Sequence, residues 1–559
     1  MQTAATPDHA LRIAIVGGGI AGLATAYYLM ARARTTGSAL DIELFEGKCT
    51  LGGNADTVVV DLGQYKKRGG GSERYHRWAD LGVNDANLSA YTLMQEVMRD
   101  IGYLANMKPL QDSTCYYEPD SNFAWTDDAA VVDGVSDPRF SLADADGGRL
   151  QMLIAVVHGA ALDLLGQVPT DYTCSRYFQD CIDDPFGMLG AAAHKLGIEI
   201  DWSMRDLGAL LEQVRDKYYY PRISAMYFTD PSGPGVMPLQ APFEYYRLQE
   251  GGAQPTVAPQ RCYFDRGAQT WLDALAAHLE QRSDARVSVT IHTGAMAQVD
   301  VSATGVTLRH NDAVMRADVC VMANHADDAA SALLFHDSVA DYGSRVRAIL
   351  GAVRYTYGYA VCHTYAGQMP ANRNVWRTYN IPIRSDGDSR FPYRIDYVAN
   401  LHQNDPANPF YDRAGLPVYF VSLVDDLNRI PRQDMLDRVT DPEALPAAWR
   451  DSLPGNVLDA LRSRTAARTG YRHQVAAPPP ELDTKAWTAF KHNILDAHCI
   501  QAQADIDGLN RTWGEQRRGS GAGVQVPALL FGGGWTIGAG LHEQCLLQAQ
   551  KISHMILPE

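Results

Sequence analysis

The residues LRIAIVGGGIAGLATAYYLMARA, beginning at Leu11, constrain the fold more than any other stretch of the chain. A short β-branched run stops at three consecutive glycines and gives way to a long apolar segment, which reads as strand, turn and helix. Within the turn, Gly17, Gly19 and Gly22 have the Gly-x-Gly-x-x-Gly spacing of a dinucleotide site. The first supplies the tight turn, the second lets a pyrophosphate approach the backbone, and the third lets the helix pack against the strand. Ile20 and Ala21 open that helix, so their N–H groups would face the phosphates. A second strand, LDIELFE, ends at Glu46. That is about where a dinucleotide fold places an acidic residue to accept both ribose hydroxyls of the adenosine half.

At 559 residues the chain is too long for one core and is expected to split into about two to four domains. Its content of 46% hydrophobic and 20% charged residues is that of a globular protein and excludes disordered or coiled-coil classes. A formal charge of −16 argues against a protein that tracks nucleic-acid phosphates. The nine cysteines are scattered and form no Cys-x-x-Cys pair, which points to reduced thiols in a cytoplasmic protein without a zinc or iron–sulfur framework. The N-terminus MQTAATPDHALRIAIV lacks the pattern of a signal peptide. The most apolar segment, Leu150 to Gly166, is interrupted by His158 and Asp163 and is read as a buried helix, so no integral membrane segment is expected.

Directly after Glu46 comes GKCTLGGNADT, with Gly47 and Lys48 followed by a second glycine pair, Gly52 and Gly53, and then Asn54 and Ala55. With this addition the N-terminal run resembles the start of the flavin-containing amine oxidases, the phytoene-desaturase-type enzymes and their bacterial relatives. The resemblance implies an α/β fold, in which a Rossmann-type FAD-binding domain carries an inserted mixed α+β substrate domain. It also implies that the second glycine pair passes near the flavin end of FAD.

Further segments fit the same superfamily in order. Arg261 to Leu279 resembles the turn and helix that lead back from the substrate domain, and Arg286 to Leu334 alternates like a strand meander feeding a buried strand. By resemblance, the stretch ending at Met296 lies against the adenine. The segments Leu350 to Tyr365 and Val418 to Ile430 read as strands with counterparts in the same relatives. Near the C-terminus, FGGGWTIGAGLHEQCLLQAQ resembles the family's last motif, with Gly534 and Trp535 near the ribityl or pyrophosphate and Leu541 and His542 opening a helix toward the flavin pyrimidine. A helix N-terminus there would favour the anionic reduced flavin. The expected division is residues 1–65, 255–336 and 473–559 for FAD, and 66–254 and 337–472 for substrate.

What the resemblance implies chemically is transfer of a hydride from a C–H bond of an organic small molecule to flavin N5, by an oxidase or a desaturase. FAD is expected to be held non-covalently, because no cysteine occupies the usual attachment place in the C-terminal turn. His542 is the candidate catalytic residue, donating to the reduced flavin. Many amine oxidases of the superfamily carry a lysine on the strand corresponding to Leu350–Tyr365, yet this chain has none between Lys217 and Lys485. That leaves an unusual amine or amino-acid oxidase, or a redox-neutral isomerase, as alternatives. Arg354, Arg377 and Arg394 are candidates by position for pairing a substrate carboxylate. The aromatic clusters YYYPR and FEYYRLQ are read as core packing ahead of a substrate wall. No metal site is expected, since His492, His498 and Cys499 do not share a helical face. No Gly-x-Ser-x-Gly elbow occurs, and Cys362 and His363 point to opposite faces of a strand, so nucleophilic catalysis has no support.

Overall fold

The computed structural model describes residues 10–66, 70–127, 137–229, 233–249, 259–310, 313–383, 394–403, 418–441, 482, 484–519 and 526–558. The expected boundaries at 254/255 and 472/473 lie outside these residues.

A five-stranded parallel sheet runs in the order Val287–His292, Leu40–Phe45, Leu11–Val16, Val319–Met322, Leu529–Phe531. Ile13, Ala14 and Ile15 are fully buried, as a strand covered on both faces requires. The helix Ile20–Thr36 follows the first strand and stops at Gly37, which takes the left-handed conformation of a helix C-terminus. It packs against the C-terminal helix His542–Ile556, with Leu23, Ala24 and Leu29 sharing a core with Leu546, Ala549 and Ile552. The two glycine-rich ends of the chain are thereby neighbours in space.

Between the strands Val287–His292 and Val319–Met322 lies the expected meander of Gln298–Ser302, Gly305–His310 and Ala313–Ala317, and Leu333–Phe335, which follows Val319–Met322 in the chain, completes its four-stranded sheet. Every residue of the strand it feeds, Val319–Met322, is buried. The fold is therefore the expected α/β Rossmann-type one.

The remaining part centres on a seven-stranded mixed sheet in the order Trp487–Asn493, Tyr355–His363, Phe420–Val424, Asp396–Val398, Tyr379–Pro382, Thr114–Tyr117, Ala124–Thr126. The two strand segments expected here are both present, although the first opens as the end of a helix, Ala340–Ala352. The strand Trp487–Asn493 joins this sheet, although it follows the expected boundary at residue 472. A helical layer stands beside the sheet and includes Arg149–Leu164, the apolar segment read as a buried helix. Tyr219, Phe243 and Tyr246 sit in its core, and their rings meet edge to face or tilted.

Candidate active site

The N-terminal turn is shaped by glycines whose hydrogens face backbone. Gly17 has φ +117°, and a Cβ there would lie 2.8 Å from the carbonyl carbon and oxygen of Ala323. A Cβ on Gly22 would lie 1.9 Å from the carbonyl oxygen of Gly17, so only glycine lets the helix sit this close to the strand end. The Glu46 carboxylate accepts from the N–H of Gly18 at 2.7 Å through one oxygen and from the N–H of Lys48 at 2.8 Å through the other. Gly52 N–H donates to the Gly18 carbonyl at 2.9 Å, and Lys48 Nζ donates to the Gly53 carbonyl at 3.2 Å. The two glycine segments are thus tied into one surface at the carboxyl end of the sheet, where ligands of open α/β sheets bind.

The C-terminal motif reaches the same place. Trp535 is 1% exposed, and its Nε1, like the side-chain oxygen of Asn324, is buried with no hydrogen-bond partner among the described residues. His542 is the first residue of the C-terminal helix and is buried. Trp271 Nε1 donates to His542 Nδ1 at 3.4 Å, which leaves the ring proton on Nε2. Burial pushes the His542 pKa down to about 4, so the ring is neutral near pH 7. The Glu543 carboxylate accepts from the N–H groups of Leu93 and Met94, both at 2.9 Å, and so caps the helix Thr92–Asp100. The Cys545 thiol donates to the Gly540 carbonyl at 3.3 Å, and burial pushes its pKa up to about 12, which keeps it from being a thiolate.

These parts line one cavity of about 390 Å³, within the range of small-molecule sites. Of the residues expected from the sequence, Gly17, Gly19, Ile20, Ala21, Glu46 and Lys48 line it. So do Gly52, Gly53, Asn54, Ala55, Gly534, Trp535, Leu541 and His542. Gly22 instead packs helix on strand, while Gly47 and Met296 are not among the lining residues, Met296 being 67% exposed.

From there the cavity continues into a wall of Met226, Phe228, Tyr245, Ile381, Ile395 and Leu423. Its charged groups were not legible as site residues, and most are tied to protein partners. Asp85 accepts from Arg261 at 2.8 Å and from Gln249 and Tyr379, while Arg261 also reaches Asp112 at 3.3 Å. Arg222 donates to the hydroxyls of Tyr116 at 2.8 Å and Tyr218 at 3.3 Å. Asp56, beside the second glycine pair, also faces the cavity.

The cavity does contain a lysine, though not on the strand where one was sought. Lys491 comes from the adjacent strand, opposite Tyr357, and is 4% exposed on its side chain. Its ammonium donates to both oxygens of Asp327 at 2.7 and 2.8 Å and to Asp328 at 2.9 Å. Burial of Asp328 opposes its ionisation, but the hydrogen bond from His325 and the charge of Lys491 outweigh it and hold the carboxyl at about 2.

The three arginines chosen by position do not reach the cavity. Arg354 pairs with Asp496 and is 61% exposed on its side chain. Arg394 pairs with Asp396 at 3.0 Å inside the seven-stranded sheet, and buried Arg377 donates to the carbonyls of Asn374 and Trp376. Among the described residues no group of three His, Cys, Asp or Glu side chains could hold a metal ion, and no helix is long and apolar enough to cross a membrane.

Residues 15–92 match a family described as an NAD(P)-binding Rossmann-like domain. No curated protein sequence matches the chain. In structure it is similar to a CLA-producing fatty acid isomerase from P. acnes, with TM-score 0.52 and 13% identity over 98% of this chain and 99% of the other. Cyclohexylamine oxidase from Brevibacterium oxydans IH-35A gives TM-score 0.48 and 13% identity over 98% and 99% of the two chains. A putrescine oxidase with putrescine bound gives 0.48 and 12% over 99% and 100%. The N-terminal segment thus has the Rossmann-like fold of the matched family, and over nearly its whole length the chain shares the fold of the fatty acid isomerase.

Proposed function

We propose that the chain is an FAD-dependent oxidoreductase that takes a hydride from a C–H bond of an organic small molecule. The observation that carries this reading is the single cavity in which the Gly17 turn, the Gly52–Gly53 loop and the N-terminus of the C-terminal helix meet an apolar, aromatic wall. Bound there, FAD supplies a two-electron acceptor for substrate hydride.

The chain's own residues fit such a group. Each Glu46 oxygen holds only one N–H and keeps acceptor capacity for ribose hydroxyls. Trp535 and Asn324 line the cavity, and the indole N–H of the one and the amide oxygen of the other are buried without a hydrogen-bond partner among the described residues. Neutral His542 presents an Nε2–H donor at a helix N-terminus, where negative charge is favoured. Glycine at position 534 and the buried, protonated thiol of Cys545 support a non-covalent cofactor. The residues 1–65, 255–336 and 473–559 form the cofactor part in this reading, and 66–254 and 337–472 the substrate part, to which the later part adds one strand. The apolar wall excludes water from the reacting carbon.

Lys491, clamped by two carboxylates, favours a desaturase or an unusual oxidase over a standard amine oxidase. A redox-neutral isomerase is the second reading, and a protein named as a fatty acid isomerase shares the fold. The test is anaerobic addition of candidate apolar and amine compounds to the yellow protein. Stoichiometric bleaching of the flavin by a compound supports the oxidoreductase. Turnover of a compound with no net bleaching and no need of an electron acceptor favours the isomerase.

A further inference from the structure

His492 stands on the wall of the cavity with one ring nitrogen used and the other bare. It belongs to the strand Trp487–Asn493, opposite Thr356, and lines the cavity together with its neighbours Lys491 and Asn493. Its Nδ1 lies 3.0 Å from the Asn493 carbonyl, which can only accept, so Nδ1 carries the proton and Nε2 is left with its lone pair. Nε2 has no hydrogen-bond partner among the described residues, yet it is not one of the atoms sealed inside the protein, as His402 Nε2 is. The lone pair therefore opens onto the cavity that the ring lines. Desolvation pushes the ring's pKa down to about 4, so it stays a neutral acceptor near pH 7.

The ring is held by packing that strains the backbone. Tyr227 and Phe228 meet it edge to face, at 5.6 and 5.8 Å between ring centres. Phe228 ends the helix Tyr220–Tyr227 with φ +52°, a left-handed conformation that a residue with a bulky side chain rarely takes. Strain of that kind gathers at functional sites, and here it accompanies a Phe228 ring set against His492 and, at 4.6 Å, against Phe490. His542 is the opposite case, because its Nδ1 accepts from Trp271 and its Nε2 carries the proton. One imidazole of the cavity is thus a donor and another an acceptor. Around His492 the lining residues Phe228, Phe490 and Lys491 include a cation and no carboxylate, since Asp327 and Asp328, which hold Lys491, are not part of the lining. An acceptor among aromatic rings and beside a cation suits an uncharged O–H better than an ammonium.

We infer that His492 Nε2 accepts a hydrogen bond from a hydroxyl group of the substrate, so that the substrate is a largely apolar alcohol rather than a hydrocarbon or an amine. This contact rests on the oxidoreductase reading above, in which the same molecule gives up the hydride. It makes His492 a determinant of specificity. An apolar wall by itself barely separates an alcohol from its ether, whereas an acceptor that the ether leaves unpaired does.

The test is equilibrium binding of cumyl alcohol, cumyl methyl ether and cumylamine to the full-length FAD-loaded protein at pH 7.5, read by calorimetry. The hydroxyl-bearing carbon of cumyl alcohol has no hydrogen to lose, so binding is measured without turnover. Wild-type protein is expected to bind the alcohol roughly threefold to tenfold more tightly than the ether, the worth of one hydrogen bond. Cumylamine, protonated at this pH, should bind more weakly than the alcohol. His492→Phe keeps a ring for Tyr227 and Phe228 and removes the acceptor, so the preference for alcohol over ether should vanish while ether affinity holds. His492→Met serves in its place if that variant does not fold. Equal binding of alcohol and ether by the wild type, a preference that survives in the variant, or no saturable binding of the alcohol overturns the contact. Cumylamine bound more tightly than the alcohol overturns the hydroxyl assignment. Wild-type protein that holds no FAD overturns the flavin reading instead, and the same titrations on that protein then decide the His492 contact on their own.

Discussion

Trp271 holds His542 in one tautomer, giving its indole N–H to Nδ1 at 3.4 Å and leaving the proton on Nε2 at the N-terminus of the helix His542–Ile556. A neutral imidazole with a fixed N–H can stabilise negative charge without itself titrating near pH 7. His542→Ala is expected to retain FAD, whose phosphate and ribose contacts lie elsewhere. It should lower the flavin midpoint potential by roughly 30 to 65 mV, equivalent to one hydrogen bond to a charged acceptor of about 1.5 to 3 kcal/mol. Potentiometric titration of variant and wild type reads the shift, and an identical midpoint removes His542 from the flavin.

Acid should destabilise the fold through histidines buried as neutral rings. Burial lowers His542 and His402 to about 4 and His363 to about 3 from an ordinary value of 6.5. Below pH 6.5 the unfolded chain takes up protons that these native rings refuse. Stability is therefore full above pH 6.5 and is lost as pH falls toward 4, by up to about 1.4 kcal/mol per pH unit for each ring. Glu543, whose pKa is raised by burial, works in the opposite direction and offsets part of the loss. Urea midpoints at pH 7.5, 6 and 5 should fall progressively, and a flat profile would contradict the burial of these rings.

Removing the Lys491 ammonium takes away the cation that the Asp327 and Asp328 carboxylates share. Lys491→Met is expected to destabilise the protein by about 1 to 3 kcal/mol, less than for a fully buried pair because the two aspartates are 30% and 43% exposed on their side chains. Combining it with Asp327→Asn should recover part of the loss. Chemical denaturation of the single and double variants checks this, and strictly additive losses would show that Lys491 does not hold the carboxylates.

Gly22→Ala brings a methyl group within 1.9 Å of the Gly17 carbonyl unless the backbone moves. The expected outcome is loss of cofactor binding together with a lowered thermal midpoint, since the helix and the turn must separate. A folded variant with wild-type FAD affinity would show that the packing reading of the third glycine is wrong.

The parts of the site legible in the sequence are those made by contiguous residues. Strand, glycine turn and helix follow one another from Leu11, and Glu46 and the second glycine pair come within one further strand, so local pattern sufficed. The C-terminal turn was legible because glycine marks close backbone approach. The wall was not. Lys491 enters the cavity only through antiparallel pairing of Trp487–Asn493 with Tyr355–His363, and Asp85 meets Arg261 because their short strands pair across a long stretch of chain. Arg354, Arg377 and Arg394 were sought as ligands for a substrate carboxylate, but Asp496, backbone carbonyls and Asp396 occupy them instead. Asn324 and Trp535 show why a buried polar group is informative only in three dimensions, because its lack of a partner is a property of its surroundings.

The central claim is that the cavity holds FAD without a covalent bond, and its most direct test is the flavin content of the purified protein. Full-length protein, reconstituted with FAD if needed and freed of excess, is precipitated with acid and the supernatant is identified by chromatography. The account predicts close to one FAD per chain in the supernatant, and a colourless pellet. No flavin retained by the folded protein, or flavin that stays with the pellet, would contradict it.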